Sequence, residues 1–363
     1  MKRFLALLCA LLLLGSVTVF ADDDPVITQS YLEQVFLPQL QTEIDTMVFS
    51  TLSDAYGTAF RSLTETYAEK NLSAQKQAWA NGKTVTARLT LKKGDALTLL
   101  PGCKITVTFG TITANSALID TTLGTPAGDT LTAKHLYMQS AESKTPLTVR
   151  SDTAEVNVDG ALKIALASGT DYGSLADALA AMGLFRGRTL GYDLDAGATR
   201  AEGLTMFLRL LGLEDEALAC RDSVPFADVP QSHWARPYVA YAYTLGLTNG
   251  TSATAFSPDQ PVTAQHYLTF LMRALHYNEG TAFTWNTVLS DAVTQKMFSQ
   301  REVQTLTAGS FLRYKMVYLS YYALFCTDQQ SRRLLCDELI AQNTLENKTL
   351  CAGIAKVRGK RIS

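Results

Sequence analysis

Two stretches of this chain echo one another, and that echo limits the possible folds more than any other feature. Met182-Gly-Leu-Phe-Arg-Gly187 returns as Leu245-Gly-Leu-Thr-Asn-Gly250. After the first comes Thr199-Arg-Ala-Glu202 and an apolar run to Gly212; after the second comes Thr263-Ala-Gln-His266 and an apolar run to Leu275. Each unit reads as helix, glycine-bracketed turn, polar loop, threonine N-cap and second helix. The threonines stand where a side-chain oxygen takes up the first free backbone donors, and the glycines permit tight or left-handed backbone. Self-similarity of this kind marks stacked supersecondary units.

The chain before the repeat has two other textures. From 28 to about 80, apolar residues recur at Leu32, Phe36, Leu40, Ile44, Met47, Leu52, Tyr56, Phe60, Leu63 and Tyr67, a helical period. Ser30 and Glu33 form a capping box at its start, Pro38 is a place for a kink or break, and Asn81-Gly82 stops it. So long a stripe needs a partner, and the following domain is the favoured one over a second copy. From 83 to about 166 the period becomes two: Val85, Ala87, Leu89 and Leu91 alternate with polar residues. Further strands are expected at 97–99, 104–109, 117–121, 130–138, 147–150 and 155–158. Short strands separated by Gly, Pro and Asp indicate a compact sandwich or roll.

Upstream of the second unit stands Phe226-Ala-Asp-Val-Pro-Gln-Ser-His-Trp-Ala235, followed by Tyr238-Val-Ala-Tyr-Ala-Tyr243. This stretch resembles the S-layer-homology repeat, which reads FxDV, HWA, an apolar helix, a Gly-x-x-x-Gly turn, FxP, then TRAE opening a second helix. The first unit keeps TRAE and the glycines, but Asp171-Tyr-Gly-Ser-Leu-Ala-Asp177 replaces its opening. A degraded third copy runs from Phe283 to Cys326. There Phe311–Leu324 aligns Arg313 with Arg200, and Val288-Leu-Ser-Asp291 stands in for FxDV.

The resemblance implies a pseudo-trimeric, all-α module around a three-helix bundle. Its grooves would hold a secondary cell-wall polysaccharide attached to peptidoglycan, with a pyruvate ketal as a possible substituent. A ketal carboxylate suits a planar two-pronged donor such as the TRAE arginine, beside a helix N-terminus. The glycan-site residues so implied are Arg200, Glu202, Arg313, Trp234 and the turn glycines Gly183, Gly187, Gly246 and Gly250. The chain departs from the pattern at Ala264 and His266, and at Tyr314-Lys315. Each assignment has a plainer competitor. Arg200 can pair with Glu202 or a neighbouring acid, and Trp234 can pack beneath the next helix. His233 and Asp228 fit a turn-tying role, and His266 a solvated helix start.

The ends set the compartment. Lys2-Arg3, the apolar run Phe4–Leu14 and Val19-Phe20-Ala21 form the layout of a cleavable secretory leader. Cys9 lacks the surroundings that lipidation requires. Of the six cysteines, the five beyond Cys9 are scattered, which favours buried thiols over a disulfide among Cys326, Cys336 and Cys351. Four dispersed histidines give no metal site, and no cofactor is implied. Losing Lys2 and Arg3 would take the net charge from −2 to −4, which gives nucleic acid no purchase. No GxSxG occurs, and Glu214 with Glu216 imply no cleft, so no enzyme is indicated. Lys356, Arg358, Lys360 and Arg361 read as a solvated basic tail.

The expectation is a multidomain α+β protein: leader 1–21, helical segment 22–81, β-domain 82–168, three repeats within 169–326 (about 169–213, 224–277 and 281–326) and a helical, basic tail 327–363. It would be a secreted, non-enzymatic surface protein held on wall glycan through its repeats, with no later membrane span. The alternatives are a self-associating structural protein whose repeats no longer bind glycan, or a secreted hydrolase.

Overall fold

The computed structural model describes residues 35–362 apart from 152 and 188–191. The expected leader, Cys9, Leu32 and the Ser30–Glu33 box lie outside the described residues. Residues 1–51 and 52–363 form two compact units, and the contacts below are those within the second. The fold class is α+β. No helix among the described residues is long and apolar enough to cross a membrane.

Helix α1 (Leu37–Ala80) is one unbroken helix. Pro38 causes no break because it occupies the first turn, where its missing N–H has no intrahelical acceptor to lose. Gly82, at φ +85°, ends the helix, with its N–H returning 3.1 Å to Trp79 O. From Leu52 on, the face laid on the body keeps only Phe60 of the residues the periodicity selects. Thr64, Ala68 and Leu72 are buried, Gly57 abuts Leu334, and Phe60 meets Phe325 at 5.6 Å between ring centroids. Leu52, Tyr56, Leu63 and Tyr67 remain 63, 50, 65 and 46 % exposed. The small side chains of Gly57, Thr64 and Ala68 allow close approach to the body, and these four large ones are left outside.

The sheet has eight antiparallel strands: β1 (Lys83–Lys92), β2 (Ala96–Leu99), β3 (Lys104–Phe109), β4 (Leu118–Asp120), β5 (Thr125–Pro126), β6 (Leu136–Gln139), β7 (Leu147–Thr148) and β8 (Thr153–Ala165). Their order is β5-β4-β6-β3-β8-β2-β7, with β1 on the other edge of β8. All strands join one curled half-barrel sheet, so the two-sheet sandwich is not formed. The expected strand at 155–158 is the first part of a much longer one that pairs with β1 along one edge and with β3 and then β2 along the other. Its inward residues Val156, Val158, Leu162 and Ile164 close a core with Leu97, Ile105, Val107 and Tyr137. Gly160 sits where β8 passes from β3 to β2. At φ +130°, a Cβ there would lie 2.7 Å from Cys103 Cα, so only glycine fits. The strand expected at 130–138 shrinks to β6, because Lys134 takes a positive φ and the chain turns.

The rest is helical: α2 (Tyr172–Ala181), α3 (Arg200–Leu210), α4 (Glu214–Ala219), α5 (Arg236–Thr244), α6 (Ala264–Ala274), α7 (Val288–Thr294), α8 (Gln300–Thr307), α9 (Arg313–Ala323), α10 (Leu335–Ala341) and α11 (Asn347–Ile354). Helices α3, α6 and α9, each the second helix of its unit, pack against one another. The first helices dock cyclically: α5 on α3, α7 on α6, and α2 on α9. The apolar faces of the units thereby close one core. Val288–Asp291 is the first turn of α7, not a counterpart of FxDV; buried Phe283 precedes that helix instead.

The C-terminal stretch is not a solvated tail. Helices α10 and α11 bury Leu335, Cys336, Leu339 and Leu350. One guanidinium, that of Arg358, reaches Asp171 Oδ2 at 2.5 Å, Gln75 Oε1 at 2.6 Å and Thr90 O at 3.1 Å. It joins the cap of α2, helix α1 and strand β1 through a fork of fixed geometry. Lys360 alone of the paired basic residues has the expected surface character, 3.3 Å from the exposed Glu69. Cys103, Cys326 and Cys336 are free buried thiols, pushed up by burial to about 11, 11 and 12.

Candidate functional site

Helix α3 starts at Arg200 because of its cap. Thr199 is extended, and its side chain accepts the Glu202 N–H at 3.2 Å while Glu202 Oε2 accepts the Thr199 N–H at 2.9 Å. This reciprocal box satisfies two donors. The next two cross to the neighbouring unit: Arg200 N–H to Gln260 O at 2.7 Å and Ala201 N–H to Pro258 O at 3.0 Å. The loop they hold is itself held by Asp228, whose two oxygens accept from Phe256 N at 2.9 Å and Ser257 N at 2.7 Å.

That loop receives the Arg200 side chain. Its Nε donates to Phe256 O at 2.8 Å. The guanidinium carbon lies 4.7 Å from the Phe256 ring centre and 5.6 Å from that of Phe270. Arg200 is only 4 % exposed, yet no described residue accepts from its two terminal nitrogens. Burial, with Arg273 nearby, pulls its pKa down to about 10 against the pull of Asp228. It therefore stays charged at neutral pH. Two rings lie beside the cation, one hydrogen bond orients it, and a two-pronged donor is left over.

A cleft of about 340 Å³ opens on this donor, lined also by Arg273, His266, Glu279, Trp285 and Gly250. Arg273 is committed: it forks onto Glu279 at 2.8 to 3.1 Å and donates to Leu247 O at 3.2 Å. His266 fills the place of glutamate in the second capping box, with Nδ1 3.3 Å from Thr263 N. Its ring meets Trp285 at 4.9 Å. Burial and the Arg200 charge lower its pKa to about 4, which replaces the solvated role expected for it. Trp285 presents a half-open indole, 40 % exposed.

The other expected site residues are spread more widely. Arg313 is buried, donates from Nε to Tyr192 O at 3.0 Å and lies 5.6 Å from the Phe185 ring. Like Arg200, it gives its Nε to a backbone carbonyl and sets its guanidinium near a phenylalanine ring. Glu202 belongs to the cap, and Arg200 bonds a carbonyl instead of pairing with it. Trp234 does not pack beneath a helix; it is 53 % exposed, stacked on His233 and edge-on to Tyr238. Gly183 and Gly246, at φ +77° and +70°, face open space at helix ends and do not line the cleft. Gly187 is exposed. Gly250 does line it. His233 and Asp228 tie the opening turn, with His233 Nδ1 accepting from Ala235 N at 3.1 Å. Trp285, Arg273, Phe256 and Phe270 escaped the sequence reading. Trp285 was legible, since like Trp234 it stands just ahead of its unit's first helix.

The S-layer homology domain model matches residues 225–263, the stretch from the Asp228 turn through α5 to the second threonine cap. A cell surface protein of Thermoanaerobacter kivui is 37 % identical over 24 % of this chain and 12 % of its own length. A cellulosome-anchoring protein of Acetivibrio thermocellus is 29 % identical over 32 % of this chain and 26 % of its own. An endoglucanase of a Bacillus species is 39 % identical over 15 % of this chain and 6 % of its own. The chain thus spans about a quarter or less of the length of these relatives. The repeat architecture and the matches together make this chain a cell-surface protein that carries an S-layer homology domain.

Proposed function

We propose that the chain anchors non-covalently to a carboxylate-bearing wall polysaccharide through the Arg200 cleft. The observation that carries this reading is the buried guanidinium beside two rings and an open indole, with two nitrogens for which no described residue is an acceptor. A fork offered without a protein acceptor matches a carboxylate such as a pyruvate ketal, and an indole gives a sugar ring a flat apolar surface. The mutual packing of α3, α6 and α9 and the cyclic docking of the first helices support a pseudo-trimeric module. In that arrangement Trp234 and Glu202 stand to Arg313 as Trp285 and His266 stand to Arg200, making a second groove. The third groove is lost where Ala264 replaces arginine. We read the chain as non-enzymatic, its β-sheet domain serving as a spacer or presenting surface.

One charge-assisted contact contributes about 1.5–3 kcal/mol, so two grooves acting together suit wall retention better than one. The test is co-sedimentation with purified sacculi, with and without chemical removal of the secondary polysaccharide, for the intact protein and for Arg200→Ala, Arg313→Ala and the double variant. Binding that requires the polysaccharide and falls stepwise through the variants supports the anchor. Binding unaffected by stripping, or by the double variant, overturns it.

A further inference from the structure

The outer face of α1 has no role in the anchor. Leu52, Tyr56, Leu63 and Tyr67 stand out from it. At 100° per residue they fall within about 60° of one another and span about 22 Å. Ala59 and Thr66, also exposed, border this face, and Ala55, Ser62 and Thr58 continue the flank beyond them. Of the charged side chains described in this stretch, Arg61 Nε bonds Gly57 O at 3.2 Å, and Glu65 lies 3.9 Å from Arg361. Among the described side chains, no charge interrupts the outward face from Leu52 to Tyr67. A helix face meant for water carries charged or strongly polar residues.

We propose that this face binds the same face of a second copy in an antiparallel, two-fold pair. The spacing is its own reverse. Turning the helix about a point midway between Ala59 and Phe60 exchanges Leu52 with Tyr67 and Tyr56 with Leu63. Each leucine then meets a tyrosine, and the contact repeats on both sides of the axis, as an isologous interface requires. Ala59, small and next to the two-fold point, lets the helix axes approach, and the described face carries no charge to oppose its like. Four turns bury less than the ~800 Å² per partner of a standard interface, so the dimer is weak in solution and gains when copies crowd on a surface.

The experiment is sedimentation velocity on residues 22–363, across micromolar to near-millimolar concentrations, beside Leu63→Glu. Because Leu63 is exposed, its variant keeps the parent melting temperature, which is checked in parallel. Alongside, a Leu52→Cys, Tyr67→Cys pair in a Cys351→Ser background is oxidised mildly and mapped for a 52-to-67 cross-link between chains. A concentration-dependent doubling of mass, abolished by Leu63→Glu, with that cross-link formed, is the expected result. A monomer throughout, a dimer that survives Leu63→Glu, or a cross-link of 52 to 52 alone overturns the proposal. Coverage of the face by the chain's own N-terminal residues would appear as the first of these.

Discussion

Arg361 Nε lies 2.5 Å from Glu302 Oε1 and its Nη2 3.1 Å from Oε2, almost at the end of the chain and inside the protein. Glu302 is 1 % exposed and also accepts from Tyr318 Oη and Ser299 N, both at 2.6 Å. The guanidinium covers the Tyr322 ring at 4.6 Å. This pair fastens the C-terminus to the third unit. Removing one partner of a buried pair leaves the other charge unpaired, at a cost of about 3–5 kcal/mol. Arg361→Ala should lose about that much in urea unfolding, whereas Lys356→Ala, at an exposed position, should change little. An unchanged Arg361→Ala midpoint would show that the C-terminus is not fastened there.

Arg200→Lys separates charge from shape. Lysine keeps the cation but cannot both bond Phe256 O through a fixed Nε and offer two parallel donors. Binding to polysaccharide-bearing sacculi should weaken about tenfold or more, nearly as far as for Arg200→Ala. Full binding by the lysine variant would mean that the cleft needs only a positive charge.

The repeat made the helical part legible, because capping threonines and turn glycines are local devices that a sequence displays directly. Thr199 and Thr263 both cap as expected, and Asp228 ties its turn. What stayed hidden depends on which surfaces meet. Arg358 and Arg361 look like a solvated tail until Asp171 and Glu302 arrive from far along the chain. The stripe on α1 was visible, but Leu52, Tyr56, Leu63 and Tyr67 face outward and from Leu52 on only Phe60 of the stripe turns to the body, because Gly57, Thr64 and Ala68 allow the closer approach. The same holds within the cleft. TRAE points to Arg200, while Trp285 and Phe256 reach it from two other segments. In the sheet, alternation found β1 and β3, but the single long β8 hid behind the glycine at 160.

His266 gives the cleft a pH dependence. Its folded pKa, about 4, lies below the unfolded value near 6.5. As pH falls through 6.5 the unfolded chain takes the proton first, so stability declines between about pH 6.5 and 4 and is unaffected by this group above that. His266→Gln should flatten this decline in thermal melts taken from pH 7 to 4.5. A carboxylate bound beside the ring would raise the histidine pKa, so binding should tighten as pH falls from 7 toward 5, and His266→Gln should remove that trend. Affinity that is flat with pH in the parent protein would place the ligand away from His266.

Two turn glycines that occupy matching places in the second unit's turn should respond differently to one methyl group. Gly246 and Gly250 both take positive φ, +70° and +76°, so alanine at either carries the cost of left-handed backbone, about 1–2 kcal/mol. At Gly246 nothing lies within 4 Å of the added Cβ, and the cost should end there. At Gly250 the Cβ would meet Ala255 O and Phe226 Cε1, both at 2.5 Å. The carbonyl belongs to the loop that presents Phe256 to Arg200 and cannot retreat without moving it. Gly250→Ala should therefore cost about 1–3 kcal/mol more than Gly246→Ala, as overpacking does, and should weaken glycan binding while Gly246→Ala spares it. Equal losses of stability, with binding intact in both, would mean that the loop yields freely and that the Arg200 geometry does not depend on it.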